Sequence, residues 1–508
     1  MKRKQIVLNI VANFVSVSIG LFISFFITPY IVSTIGKEAY AFVPISNNFT
    51  SYMSILTLAL TSMTSRFVTI KLHGNDLDAA NDYFSTSFYS NLAMSFIVFF
   101  FSLFIIIFLD KIINIPLNIL FDVRMLFALM FLGFILSLAT TTFSVTSFSM
   151  NRLDVASMIS NAGSLARLVV IFFMFKFYRP QVYYIGLSMC AAVIIQGILS
   201  YISSKKIRPD LIVSYRRFKF KIAKELFSSG IWNSFNQLSN ILLTGIDLVM
   251  ANIMLGASAA GVLAIAKTVP MALQTLVSVV PIAFSPYLTI LFAKENKEKF
   301  TSELLYTLKF SAILIGIPIA GFIALASDFF GLWVPSIAGS QLTILSLLTM
   351  ISMVASFSIM PLVFIFAITN KLKWPSFAVF ITGLLNVTIV FILVKTTAIG
   401  IYAIAGVSSI LEIFRCLIFV PIYTAICLHE KKTIFYRSIF NSLFYMSILI
   451  VVYFAITKIV SIHNWGVLLI TSGIMAILGL GIGYFLIFDK EEKQKVNDVI
   501  KKYSSKLM

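Results

Sequence analysis

Long apolar runs recur along the whole of this 508-residue chain, and they constrain its fold more than any other feature. A bilayer core of about 30 Å requires about 20 mostly apolar residues for each helical crossing. Runs of this length predict an all-α, polytopic membrane protein with about 14 transmembrane helices. Their approximate bounds are 8–33, 41–65, 83–109, 123–147, 156–177, 183–203, 226–250, 259–290, 303–325, 341–367, 376–395, 400–424, 438–460 and 466–488.

The composition excludes an ordinary soluble domain. Of all residues, 59% are apolar and 12% are charged, whereas soluble domains average about 25% charged residues. The first run is too long for a cleavable signal and lacks a small-residue cleavage site, so we expect it to remain as a span. The three cysteines, Cys190, Cys416 and Cys427, show no spacing typical of a metal site or a disulfide framework.

The loops between the spans predict the orientation in the membrane. If the start, every second loop and the end are taken as one side, most of the 39 lysines and arginines fall on that side. Such an excess marks the cytoplasmic face, so we expect both termini in the cytoplasm. The net charge of +19 then belongs to a membrane surface. The basic residues are spread over several short segments, which argues against a nucleic-acid partner.

An internal repeat of about 220 residues divides the chain. Residues 151–153 read Asn-Arg-Leu after the fourth span, and residues 370–372 read Asn-Lys-Leu after the tenth. Gly36 follows the first span and Gly256 follows the seventh at the same spacing. Six spans separate the copies, and an even number makes the repeats parallel. We therefore predict two pseudo-symmetric six-helix lobes plus two extra C-terminal helices.

The repeat also predicts the domain boundaries. Spans 1–6 form an N-lobe, a basic cytoplasmic linker follows, spans 7–12 form a C-lobe, and spans 13 and 14 precede an amphipathic cytoplasmic tail. The corresponding ranges are 1–203, 204–225, 226–427 and 428–508.

The seventh span carries a polar stripe at helical spacing. Because polar side chains are costly in lipid, a face of this kind should look into protein or a watery cavity. Hydrogen bonding between helices of one lobe explains one or two such amides, whereas a stripe of about 21 Å is more typical of a conduit lining. Its members are Asn233, Asn236, Gln237, Asn240, Thr244 and Asp247.

A shift by the repeat length extends this lining to other spans. Asn13 of the first span falls on Asn233, and Asn47 of the second span falls on Lys267 of the eighth, with Gln274 two turns later. We predict that Asn13, Asn47 and Gln274 belong to the same polar surface.

Two arginines lie within spans, where an unpaired charge is expensive and marks a candidate functional site. Arg167 is near the middle of span five, either facing the cavity or hydrogen-bonded inside its lobe. Arg415 in span twelve has Glu412 one turn before it, so a structural pair competes with a functional role.

Three further charged residues have two interpretations each. Asp247 and Lys267 flank Gly256 on antiparallel helices, where an ion pair would hold a hairpin together or act as an outer gate. A proton or Na⁺ that couples to transport would bind Asp247 or Glu412. Arg66 ends the second span, where it either reaches the lipid headgroups or faces the mouth of the cavity.

Motifs that would indicate an enzyme are absent from the sequence. There is no phosphate-binding G-x-x-x-x-G-K-[ST] loop and no H-E-x-x-H metal motif. No outer loop is long enough for the extracytoplasmic catalytic region expected of a sugar polymerase or ligase. We therefore expect no catalytic residue, no metal and no cofactor other than a coupling cation.

Two stretches carry a family resemblance. Residues 35–69 (IGKEAYAFVPISNNFTSYMSILTLALTSMTSRFVT) resemble the first loop and second helix of polysaccharide-type flippases. These flippases belong to the multidrug/oligosaccharidyl-lipid/polysaccharide exporter superfamily. Residues 245–270 (GIDLVMANIMLGASAAGVLAIAKTVP) are similar to the corresponding part of its second lobe.

The resemblance implies a flippase of the bacterial cytoplasmic membrane. Such a protein moves an undecaprenyl-diphosphate-linked oligosaccharide or polysaccharide repeat unit outward by alternating access of two lobes around a hydrophilic cavity. It implies a monomer that works in membrane lipid, alongside glycan-assembly enzymes of the cell envelope. Cationic groups such as Arg167 would attract the diphosphate, and amides and hydroxyls would contact the sugars.

Alternatives remain open at this point. A peptidoglycan lipid-precursor flippase and a cation-coupled multidrug exporter belong to the same superfamily. A membrane-embedded glycosyltransferase represents a different class, although it should show a cluster of carboxylates at one membrane face. A non-transporting partner in envelope assembly would not need a polar-lined interior.

Overall fold

The computed structural model describes residues 3–293, 297–335, 337–369 and 371–494. Within these ranges, several side chains between residues 3 and 24 and between 276 and 297 are not described, that of Asn13 among them. Most of the predicted amphipathic tail also lies outside the described residues.

The described residues form seventeen α-helices and contain no β-strand. The helices are α1 Arg3–His73, α2 Leu77–Ile107, α3 Leu109–Ile112, α4 Leu120–Ser149, α5 Leu153–Phe177, α6 Tyr183–Ile207, α7 Phe220–Asn240, α8 Asp247–Leu255, α9 Ala257–Ala293, α10 Lys297–Trp333, α11 Gly339–Ser356, α12 Met360–Ile368, α13 Lys373–Thr396, α14 Ile401–Phe414, α15 Val420–Leu428, α16 Tyr436–Ile459 and α17 Trp465–Leu486.

The predicted all-α, multi-pass membrane class is confirmed. The described part of the chain has 12 helices long and apolar enough to cross a membrane, or 13 if the bent pair α7 and α8 is one span. The predicted count of 14 is not confirmed by these numbers. One of the twelve, Val15–His73, has 59 residues. At 1.5 Å per residue it is about 88 Å long, which is enough for two crossings of a core of about 30 Å.

Glycine explains the interruption of that long helix and supports the sequence repeat. Gly36 has φ 84° and ψ 161° inside α1. Gly256, between α8 and α9, has φ 92° and ψ 172°. Residues with a side chain rarely adopt this conformation, so both positions require glycine. The two copies of the repeat therefore share the same unusual backbone geometry at equivalent positions.

The Asn-Arg-Leu part of the repeat is a helix C-cap. Asn151 has φ 53°, and the Arg152 backbone N–H donates to the Ser147 carbonyl at 2.7 Å. This six-to-one bond is the Schellman motif that ends helices at a left-handed residue. In the second copy, the Lys371 N–H donates to the Phe366 carbonyl at 2.8 Å. Asn370 itself lies outside the described residues.

The helices divide into two compact units, Met1–Ala264 and Ile265–Met508. In the first unit, α4 packs against α6, α5 packs against α6, and α1 packs against α2, α4, α5 and α7. The buried side chains that join α1, α2, α4 and the segment before α7 include Val68, Phe84, Val145 and Leu211. The lobe boundaries predicted from the repeat stay a prediction.

In the second unit, α16 and α17 pack against α10, α11 packs against α14, and α12 packs against α15. Two fully buried tyrosines of α16 hold α17 in place through hydrogen bonds to its backbone. The Tyr445 hydroxyl donates to the Gly479 carbonyl at 2.9 Å, and the Tyr453 hydroxyl donates to the Met475 carbonyl at 2.5 Å. A Cβ at Gly479 would lie 2.3 Å from the Tyr453 hydroxyl. This contact explains why glycine faces tyrosine there.

Candidate functional site

The polar stripe begins where α7 packs closely on α1. A Cβ at Gly230 would lie 1.9 Å from the Ala59 carbonyl oxygen, so only glycine permits this approach. One turn later, the Asn233 side-chain amide donates to the Ser62 hydroxyl at 3.0 Å. The first stripe residue thus takes part in hydrogen bonding between helices, the alternative role considered for the stripe.

The middle of the stripe behaves differently. Asn236 and Gln237 are half-buried and Asn240 is exposed. Within the described part of the chain, none of these three amides makes a side-chain hydrogen bond, since every such bond of α7 involves other residues. Three neighbouring amides with open hydrogen-bonding capacity are typical of a surface that contacts water or a polar ligand, because lipid would leave them unsatisfied.

The stripe ends at a break in the helix. Residues Ile241–Gly245 form a π-helical segment, and α8 then leaves at an angle of 44° to α7. A π-turn contains one more residue than an α-turn, so positions beyond it are rotated about the axis. Thr244 is exposed, whereas Asp247 at the start of α8 is 1% exposed. The prediction that all six residues share one continuous helical face is therefore wrong for Asp247.

A tyrosine of α1 stabilises the break. The Tyr52 hydroxyl donates to the Gly245 carbonyl at 2.8 Å, next to the buried Asp247. A carbonyl at a helix interruption needs a donor from elsewhere because its helical partner is displaced. Sequence reasoning missed Tyr52, although it lies among the polar residues that follow Asn47 on span two.

The C-terminal end of α8 is joined to the loop after α3 by two asparagines. The Asn114 backbone N–H donates to the Asn252 side-chain oxygen at 2.7 Å, and the Asn252 amide donates back to the Asn114 carbonyl at 3.0 Å. The Asn114 amide adds bonds to the carbonyls of Asn252 and Ile253, each at 3.0 Å. Asn252 is fully buried. No sequence pattern indicated this pair, because the two residues are far apart in the chain.

Arg167 lies on α5, half-buried, with Tyr40 near it. Its Nε is buried and makes no hydrogen bond, and the described residues place no carboxylate within ion-pair distance of its guanidinium. One turn earlier, the Gln196 side chain lies over Gly163, where a Cβ would come within 2.2 Å of the Gln196 Nε2. The hydrogen-bonded alternative for Arg167 thus finds no partner for Nε, and the charge is left available for an anion.

Arg415 has the opposite environment. Its Nε donates to Glu412 Oε2 at 2.8 Å, and a second nitrogen contacts the other carboxylate oxygen. The side chains are 14% and 19% exposed. Arg415 also begins the second π-helical segment, Arg415–Phe419. The structure therefore contains the ion pair that the spacing predicted, and whether it also serves transport stays a prediction.

The remaining predicted residues occupy varied positions. Arg66 and Asn47 are exposed on α1, and their side chains make no hydrogen bond or ion pair with the described residues. Lys267 is half-buried and Gln274 is exposed on α9, both in the second unit. Asp247 and Lys267 each interact with other groups, and their predicted pairing stays a prediction.

Within the described ranges, the structure contains no cluster of three or more histidine, cysteine or acidic side chains that could hold a metal ion.

Solved structures show the fold to which this chain is similar. An inward-facing multidrug resistance MATE family transporter of the MOP superfamily matches with a TM-score of 0.67 and 14% identity, over 82% of this chain and 94% of that one. The lipid II flippase MurJ in an inward closed conformation matches with a TM-score of 0.64 and 15% identity, over 94% of this chain and 98% of that one. At such low identities the likeness concerns the fold alone.

Sequence comparison gives the family. The chain is 30% identical over 492 residues to the uncharacterized membrane protein EpsK of Bacillus subtilis (strain 168), covering 96% of this chain and 97% of that one. The model of a family described as polysaccharide biosynthesis protein matches residues 6–292. These matches confirm the resemblance read from residues 35–69 and 245–270: the chain belongs to the polysaccharide biosynthesis protein family.

Proposed function

We propose that this protein is a flippase that moves an undecaprenyl-diphosphate-linked oligosaccharide or polysaccharide repeat unit from the cytoplasmic to the outer leaflet by alternating access. The observation that carries the proposal is a group of three side-chain amides on a helix of a multi-pass membrane protein, none of which makes a hydrogen bond with the described residues. They are those of Asn236, Gln237 and Asn240. The family supports a role in polysaccharide biosynthesis.

The amides suit the sugar part of this substrate. A side-chain amide offers two donors and one acceptor oxygen, which matches the hydroxyls of a glycan. Asn240 and Thr244 are both exposed and lie one turn apart, so one sugar ring can contact both. Lipid contact would leave the amides of Asn236, Gln237 and Asn240 without hydrogen-bond partners, which is costly in hydrocarbon.

Arg167 suits the diphosphate. A guanidinium binds phosphate oxygens through paired hydrogen bonds, and such bonds are strongest where water is scarce. The absence of a carboxylate partner for Arg167 among the described residues leaves its charge to an anionic ligand. Arg415 is neutralised by Glu412 and is the weaker candidate.

In alternating access two lobes rock about the binding site, and a break within a span gives a helix a place to bend during that movement. The π-helical segment Ile241–Gly245 and the 44° change of direction at α8 provide such a place within a span. Asp247 lies at this point, and we infer that a proton or Na⁺ exchanging at Asp247, or at Glu412, couples to the movement. Lys267 is the candidate gate partner of Asp247.

The proposed function also implies a membrane location and neighbouring proteins for this chain. We infer a bacterial cytoplasmic membrane protein with both termini in the cytoplasm, because most of the 39 basic residues lie in the loops of that side. It acts as a monomer next to the enzymes that assemble the glycan. It transports and does not catalyse a covalent step, in line with its transporter-like relatives in fold.

A leaflet assay tests the function. The protein is depleted in its host, and an impermeant lectin or glycosidase determines on which side undecaprenyl-diphosphate sugars accumulate. We expect accumulation on the cytoplasmic side, rescue by the wild-type chain, and no rescue by Arg167→Ala or Asn240→Leu. The control variants Asn441→Leu and Arg437→Ala alter exposed residues of α16 and should rescue fully. Unchanged lipid-linked sugars would refute the proposal.

One second candidate is a flippase for the peptidoglycan lipid precursor, since the lipid II flippase MurJ shares this fold over 94% of this chain. The assay separates the two, because depletion would then trap lipid II, and not the longer glycan carriers, in the cytoplasmic leaflet. Altered drug sensitivity with both lipids unchanged would instead identify a multidrug exporter.

A further inference from the structure

The segment that joins α6 to α7 is folded against α2. The Asn81 side chain accepts a hydrogen bond from the Ile212 N–H at 2.8 Å, and the Ser85 hydroxyl donates to the Ile212 carbonyl at 3.0 Å. The Ser85 oxygen also accepts from the Ser214 N–H at 3.1 Å. Asn81 and Ser85 are buried. Residues 210–219 thus have their backbone fixed by polar side chains of one helix.

Part of the positive charge of this segment is neutralised by that attachment. The Arg217 guanidinium pairs with Asp78 at 2.9 Å and with Asp82 at 3.3 Å. Lys219 contacts Asp82 as well. The Arg208 Nε donates to the Asp210 carboxylate at 2.7 Å. The charge of these three cations is balanced by carboxylates of the segment itself and of α2.

A second set of cations has no such partner. Arg216, Lys221 and Lys224 are exposed, and the described residues place no carboxylate within ion-pair distance of them. All three belong to the same stretch of chain as the neutralised set. The contrast indicates that their charge is not required for the fold of the segment.

Two aromatic side chains alternate with these cations on the same exposed stretch. Tyr215 is 75% exposed and Phe220 is 77% exposed. Each is followed directly by a cation, Arg216 and Lys221 respectively. Tyrosine and phenylalanine alternating with lysine and arginine are characteristic of surfaces in the interfacial region of a bilayer, where the rings enter the headgroup layer and the cations reach phosphates.

We propose that the exposed face formed by the end of this segment and the first turn of α7, comprising Tyr215, Arg216, Phe220, Lys221 and Lys224, binds the headgroups of anionic phospholipids. Charge complementarity decides the occupant: three uncompensated cations beside two interfacial aromatics match an anionic lipid surface. Because hydrogen bonds to α2 fix the backbone, the face is formed before lipid arrives, and little ordering cost opposes binding. The bound lipids would hold the start of α7, the helix with the open amides.

The test compares lipid retention in native mass spectrometry of the purified full-length chain, equilibrated with equal amounts of phosphatidylglycerol and phosphatidylcholine. The triple variant Arg216→Gln, Lys221→Gln, Lys224→Gln should lower the retained ratio of phosphatidylglycerol to phosphatidylcholine about fivefold or more, given the contribution of each cation near a surface. The matched control Lys111→Gln, Arg179→Gln, Lys395→Gln loses the same charge elsewhere and should keep the wild-type ratio.

The aromatic residues and the salt dependence provide two further tests of the lipid surface. The pair Tyr215→Ser, Phe220→Ser should lower retention of both lipids and leave the ratio of phosphatidylglycerol to phosphatidylcholine unchanged. Added salt should reduce the preference of the wild type for phosphatidylglycerol. Equal ratios in the triple variant and the wild type would overturn the proposal. It would also be overturned by an equal loss in the control triple, or by displacement of the lipid by inorganic pyrophosphate, which would indicate a diphosphate site. Monodisperse elution of each variant verifies that it folds.

Discussion

Two spans in the described part of the chain contain a π-helical segment, and the two interruptions differ in their cause and in the charge beside them. The first runs from Phe220 to Leu255 with its interruption at Ile241–Gly245, and the second runs from Ile401 to Leu428 with its interruption at Arg415–Phe419. In both, a tyrosine hydroxyl from another helix donates to a carbonyl at the interruption. Tyr52 reaches the Gly245 carbonyl at 2.8 Å, and Tyr436 reaches the Leu417 carbonyl at 2.9 Å.

The second interruption has a local cause. Pro421 has no N–H, so the Leu417 carbonyl four residues earlier loses its helical donor, and Tyr436 replaces it. The charge at this site is balanced within the same span by Glu412 and Arg415. No proline lies in the first interruption, and its charged residue Asp247 is buried beyond a 44° bend. The first interruption therefore changes the direction in which Asp247 lies relative to the amides of α7, whereas the second accommodates Pro421 within its helix.

The largest effect is expected when the carboxylate of the Glu412–Arg415 ion pair is removed. Glu412→Gln leaves Arg415 with an uncompensated charge among mostly buried groups, and we expect a loss of about 3–5 kcal/mol in the free energy of unfolding. The double variant Glu412→Gln, Arg415→Gln should recover most of that loss. Unfolding in mixed micelles of sodium dodecyl sulfate and a mild detergent measures both. Wild-type stability of the single variant would mean that Arg415 reaches water, and the contrast between the two spans would disappear.

The second test concerns how closely each span packs. At Gly230 in the first span a Cβ would lie 1.9 Å from the Ala59 carbonyl oxygen, whereas at Gly406 in the second it would lie 3.6 Å from Leu348. We expect Gly230→Ala to destabilise the protein by about 1–3 kcal/mol through overpacking. Gly406→Ala is an ordinary contact and should cost nothing measurable. The same micelle unfolding compares them, and equal stability of the two variants would show that α1 and α7 separate readily.

The predictions from the sequence agree best with the structure at positions where only one kind of residue, or one pattern of residues, meets the physical requirement. The apolar runs predicted the helical membrane class, because a bilayer leaves few alternatives. The equivalence of Gly36 and Gly256 was visible at a spacing of about 220 residues, because only glycine suits their backbone. The Glu412–Arg415 pair followed from helical spacing alone.

Other features depend on contacts between distant parts of the chain. The hydrogen bonds between Asn114 and Asn252 join the loop after α3 to α8, and no sequence periodicity indicates them. The π-helical segment that separates Asp247 from Asn240 has no proline or other marker, so an ideal helix placed both on one face. The attachment of residues 210–219 to α2 uses Asn81 and Ser85, which resemble ordinary polar residues near the end of a span. Linear patterns do not reveal such pairings.

The third test uses the two tyrosines as matched variants. Tyr52→Phe and Tyr436→Phe each remove one hydroxyl and leave a carbonyl without its donor, so each should lose about 1 kcal/mol of unfolding free energy. Only Tyr52 lies beside Asp247 and bonds to the span that carries the open amides, so only Tyr52→Phe should also lower flipping in the leaflet assay. Equal flipping by both variants would contradict the proposed difference between the two interruptions.

The smallest effect on stability is expected for Asn240, one of the three α7 amides without a hydrogen bond. A variant at this position separates an effect on transport from an effect on folding. Asn240 is exposed and its amide makes no hydrogen bond with the described residues, so Asn240→Leu should change the unfolding free energy by less than about 0.5 kcal/mol. If this amide contacts sugars, flipping should nevertheless fall strongly, because a buried glycan hydroxyl would lose its partner. Asn441→Leu on α16 provides the matched exposed asparagine and should leave flipping unchanged. An Asn240→Leu protein that flips normally would show that the open amides do not contact the glycan, and the first interruption would then be structural like the second.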